Sequence, residues 1–93
     1  MRLTIIRNDG FVSVNNEGFS ELDLSFMDSD IHAVQWYETK GEVERRDNRG
    51  RIIANEEITS IEQFQPALDL WLAAKQRAQE DLQAQALQEQ GAN

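Results

Sequence analysis

The sequence predicts an α+β domain: a small antiparallel sheet of about four to five short strands joined by hairpins, closed by a C-terminal α-helix. Three observations point there. β-branched and aromatic residues recur in short alternating runs over the first half. Turn-forming pairs such as Asp9-Gly10 and Lys40-Gly41 separate those runs. After residue 59 the apolar spacing changes from two to three and four. The 93 residues are one domain's worth of chain, and 28% charged with 40% apolar residues is ordinary globular composition.

Residues 2–7 alternate, with Leu3 and Ile5 on one face and Thr4 and Ile6 on the other. Asp9-Gly10 is a hairpin signal, and Phe11–Val14 reads as the return strand. Asn15-Asn16-Glu17-Gly18 is read as a second turn. Residues 19–31 hold apolar mass in Phe19, Leu22, Leu24, Phe26 and Met27 without a clean period, and are expected to be irregular and packed on the sheet. Residues 32–37 form the next strand, in which the adjacent Trp36 and Tyr37 must face opposite sides. Residues 38–41 turn, residues 42–46 return with Val43 inward, residues 47–50 turn again, and 51–54 are a short last strand or extended segment.

Thr59 is spaced as a helix N-cap with Glu62 reaching back to it. Phe64, Ala67, Leu68, Trp71, Ala74, Ala78 and Leu82 make one apolar stripe. Pro66 is tolerated only at a helix start, so a short first turn at 60–64 and a new helix from Pro66 are expected, with Trp71 in the core against Trp36. The organisation is then a domain over 1–75 and a Gln/Ala-rich polar helical extension over 76–93, whose large apolar side chains are Leu82 and Leu87.

The net charge of −8 works against non-specific nucleic-acid binding, which draws on Lys and Arg. Arg45, Arg46, Arg49 and Arg51 do cluster, but Glu42, Glu44 and Asp47 are interleaved and read as a self-compensating hairpin. Without cysteine there is no disulfide and no thiolate metal site, and a lone His32 builds neither a zinc site nor a triad. Asp28 and Asp30 resemble the start of a calcium loop, but its glycine and glutamate positions hold Ala33 and Thr39. Glu56-Glu57 reads as favourable charge near a helix start. No catalytic, cofactor-binding or metal residues are expected. The opening ten residues lack an apolar signal core, and no run is long enough to span a membrane.

His32-Ala33-Val34-Gln35-Trp36-Tyr37, Gly41-Glu42-Val43-Glu44 and Asn55-Glu56-Glu57-Ile58-Thr59-Ser60, with Leu3-Thr4-Ile5-Ile6 and Asp9-Gly10, carry a resemblance over residues 1–72. The chain resembles a group of small, largely uncharacterised proteins of tailed bacteriophages and prophages, whose genes commonly sit beside tail-fibre genes. The resemblance implies a non-enzymatic tail-associated structural or attachment protein, located in the virion or the host cytoplasm. Its expected partner is a tail or tail-fibre protein, with self-association through the C-terminal helix a further possibility and neither nucleic acid nor membrane involved. A tail-fibre assembly chaperone and an acidic inhibitor of a host protein are the alternatives. The residues expected to make contact are Trp36, Tyr37, Arg45 and Arg46 on the sheet and Leu82 and Leu87 on the extension.

Overall fold

A computed structural model describes the backbone of residues 1–91 and the side chains of residues 1–87. The strands are β1 (Arg2–Ile6), β2 (Phe11–Val14), β3 (Glu17–Phe19), β4 (Ile31–Tyr37), β5 (Lys40–Arg46) and β6 (Ile52–Ile58). They form one antiparallel sheet in the order β3-β2-β1-β4-β5-β6, and a single long helix, α1 (Gln65–Gly91), follows. The class is α+β, with six strands rather than four to five.

The extra strand comes from a tighter turn than the sequence suggests. Asn15 and Asn16 both have positive φ, at 51° and 71°, as a two-residue hairpin turn requires. Glu17 and Gly18 are thereby released from the turn into β3, where Gly18 pairs with Ser13. The last strand is also longer than residues 51–54. It runs through Glu56 and Glu57, which pair with Val43 and Glu42, so these glutamates belong to a strand and not to a helix approach. Pairing along β5 overrides the poor strand preference of Asn-Glu-Glu.

The Asp9-Gly10 turn contains a 3₁₀ turn over Arg7–Asp9, ended by Gly10 in the left-handed conformation at φ 58°. A Cβ there would stand 2.5 Å from the Leu22 carbonyl oxygen, so both the backbone angle and the space call for glycine.

Cross-strand register writes the core as two rows on the inner face. The first runs Glu17, Val14, Leu3, Trp36, Gly41, Ile58, and the second runs Phe19, Val12, Ile5, Val34, Val43, Glu56. Leu3, Ile5, Val12, Val34 and Val43 are fully buried. Leu24, Met27 and Ile31, from the irregular segment and the start of β4, close one end of this face. A register shift between Ile31 and Ala33 puts His32 into a bulge of β4.

Thr59 does not cap the helix. The Ser60 hydroxyl accepts the Glu62 N–H at 3.2 Å, a 3₁₀ turn spans Glu62–Phe64, and Pro66 lies in the first turn of α1, where its missing N–H has no partner to lose. Ala67, Trp71 and Ala74 are buried and pack the helix on β2 and β3. The ring meeting Trp71 is Phe19 on β3, edge-on at 6.2 Å between centroids; Trp36, on β4, is further along the same core. The Trp71 indole N–H donates to the Glu17 carbonyl at 2.8 Å. Lys75 lies 5.1 Å over the same indole and 3.4 Å from the Glu17 carboxylate. From Gln79 to Leu87 every side chain is exposed, so α1 leaves the domain beside β3 and gives the molecule a 59 Å long axis. The final two residues of the extension, 92–93, fall outside the described part.

Candidate functional site

The helix covers one face of the sheet. The opposite, outer face carries a polar row, Gly18, Ser13, Thr4, Gln35, Glu42, Glu57, set by the same register. At its β4–β5 end an open cavity of about 590 Å³ is lined by Arg2, Gln35, Trp36, Tyr37, Lys40, Gly41, Glu42 and Glu57.

Trp36 and Tyr37 take opposite fates. Trp36 follows Leu3 onto the inner face and is 6% exposed, its ring lying over Gly41, where a Cβ would meet the Gln35 carbonyl at 2.3 Å and the indole at 3.0 Å. Tyr37 is 65% exposed and stands between Arg2 and Lys40 in the register. Arg45 and Arg46 are at the other end of β5, so the sheet does not set Tyr37 beside them.

Arg45 lies on the inner face, beyond the reach of the helix, where Ile31 and Ala54 are its register partners. Its guanidinium is 3.0 Å from Asp30, 3.3 Å from Glu56 and 3.6 Å from Asp28. Desolvation works against this cation, but the hydrogen bond to Glu56 and the charges of Asp30 and Glu56 outweigh it and raise its pKa. Arg45 therefore ties the segment before β4 to β6. Arg46 pairs with Glu44 at 3.2 Å, and its backbone N–H donates to the Asp30 carbonyl at 2.7 Å. His32 stands 3.8 Å from the same Glu44.

Asp47 organises the β5–β6 turn. One carboxylate oxygen accepts the Arg49 and Arg51 backbone N–H groups, both at 2.9 Å, and the other accepts the Arg51 Nε at 2.9 Å. The Arg51 backbone N–H is the largest cause holding this carboxyl below its ordinary 3.8. Three of the four clustered arginines, Arg45, Arg46 and Arg51, are thus held in ion pairs within the domain.

Leu82 and Leu87 are 66% and 68% exposed on the free part of α1, far from the sheet residues. The structure therefore separates the six expected contact residues into a core residue (Trp36), an exposed aromatic in a cavity (Tyr37), two paired arginines and two exposed leucines. The residues that sequence reasoning overlooked are Glu42 and Glu57. They are direct cross-strand partners, and only the β5–β6 register reveals it. Among the described residues, no three His, Asp or Glu side chains converge as metal ligands would, and no helix is long and apolar enough to cross a membrane. In comparisons with known proteins, the chain matches no family model, no curated protein and no solved structure.

Proposed function

We propose that this chain is a non-enzymatic bacteriophage tail-associated structural or attachment protein that acts through protein–protein contacts. The observation that carries the contact role is the free part of α1. It continues past the last residue buried on the sheet and presents Leu82 and Leu87 to solvent, with neither engaged by the domain's own core. Leu82 and Leu87 are five residues apart, about 140° around the helix, so they offer a neighbouring protein two separate apolar anchors rather than one continuous stripe. The phage assignment rests on the resemblance carried by residues 32–37, 41–44 and 55–60.

Mass spectrometry of gradient-banded phage particles from the strain that encodes the chain tests this reading. Peptides at a fixed stoichiometry to a tail protein are expected. Absence from particles, with the protein abundant in the lysate, would remove the structural role and leave the assembly chaperone and the host-directed inhibitor to be separated by co-purification. Within particles, Leu82→Glu with Leu87→Glu is expected to prevent incorporation while leaving the domain folded.

A further inference from the structure

We propose that the free edge of β6 is a docking site for an extended, basic segment of a partner protein, which adds to the sheet as one more strand. This goes beyond the helix-mediated contact and uses a separate surface.

The two sheet edges differ. β3 is three residues long, α1 packs against it, and the Glu17 carbonyl already accepts the Trp71 indole N–H. β6 is seven residues long, is hydrogen-bonded only to β5, and six of its seven residues are exposed. Sheet edges are ordinarily protected by lysine, proline, short length or a covering element. β6 has a bulge near Ile53 and two glutamates, but no lysine or proline, and Ile52 and Ile53 are 58% and 56% exposed.

Charge selects the occupant. Glu42 and Glu57 face each other across β5 and β6, at a cross-strand distance of about 5 Å between Cβ atoms, where like charges repel. Arg2 and Lys40 line the same cavity, yet neither glutamate is ion-paired among the described residues. On the other face of β6, Glu56 shares a single cation, Arg45, with Asp28 and Asp30. Both faces of the edge are therefore short of positive charge at its C-terminal half. Side chains of an added strand alternate between the two faces, so a lysine or arginine at either parity meets a carboxylate. A second copy of β6 cannot supply this, because Ile52–Ile58 holds no basic residue. Backbone pairing gives such a strand its affinity, and the carboxylates give its preference for a basic sequence.

The test is an NMR titration and amide hydrogen-exchange measurement on the full chain with three short peptides: alternating Lys and Val, alternating Glu and Val, and the Lys–Val peptide with its backbone N-methylated. The expected result is that the Lys–Val peptide shifts and protects the Ile52–Ile58 amides and binds at least about tenfold tighter than the Glu–Val peptide, while the N-methylated form does not protect them. Glu42→Gln with Glu57→Gln should weaken Lys–Val binding by about tenfold without lowering the melting temperature. Three results would each overturn the proposal: shifts that do not centre on β6, equal binding of the N-methylated peptide, or concentration-dependent protection of β6 in the protein alone, which would mean a second copy is the occupant. None of these bears on whether the chain is found in phage particles, so the two readings fail separately.

Discussion

Trp71 shows how much one side chain can carry in a small core. It closes the inner face over Phe19, gives its N–H to Glu17 and supports the Lys75 ammonium. Trp71→Ala is expected to cost about 3–5 kcal/mol in urea unfolding, the range for deleting a large buried aromatic. Trp71→Phe keeps most of the packing and loses the hydrogen bond, which contributes about 1 kcal/mol. A cost under about 1 kcal/mol for the alanine variant would mean that the helix does not close the core. Asp47 gives a prediction of a different kind, because it is a half-buried turn residue that acts through hydrogen bonds. Its folded pKa is depressed, so its contribution is fully present above the ordinary 3.8 and is lost as pH falls through the lower folded value. The Arg49 and Arg51 amide resonances should titrate with a midpoint below 3.8; a midpoint at or above it would show that the turn hydrogen bonds are not formed in solution.

At the scale of the element, α1 is two things in one helix. Its first half packs Ala67, Trp71 and Ala74 on β2 and β3, and its side chains from Gln79 to Leu87 are exposed. Deleting residues 76–93 is therefore expected to leave a cooperative thermal transition; its loss would show that the extension is needed for folding. The strands that alternate strongly, β1, β2, β4 and β5, were legible in the sequence, as was the helix stripe, because a buried face imposes a period. β3 and the second half of β6 were not. They are specified by pairing with a neighbour rather than by their own residues, and Asn-Glu-Glu in β6 would read as a turn or helix approach anywhere else. The same limit applies to the candidate sites. Parity alone separates Trp36 from Tyr37, but the register with Leu3 decides which is buried. Glu42 and Glu57 are 15 positions apart in the chain and become neighbours only when β5 and β6 align.

Over the whole molecule, the net charge of −8 and the internal use of Arg45, Arg46, Arg51 and Lys75 in ion pairs leave the surface short of cations. Contacts that rely on that charge will weaken as salt rises, whereas contacts made by the leucines of α1 will not. The strand order adds a geometric point. β6 ends the sheet on one side, and α1 departs beside β3 on the other, with four strands between these edges. At about 4.8 Å per strand, the two edges are separated by roughly 24 Å. Two bodies held at these edges would sit on opposite sides of the sheet. The molecule would then act as a spacer of fixed length, joining them at a separation set by the width of its own sheet.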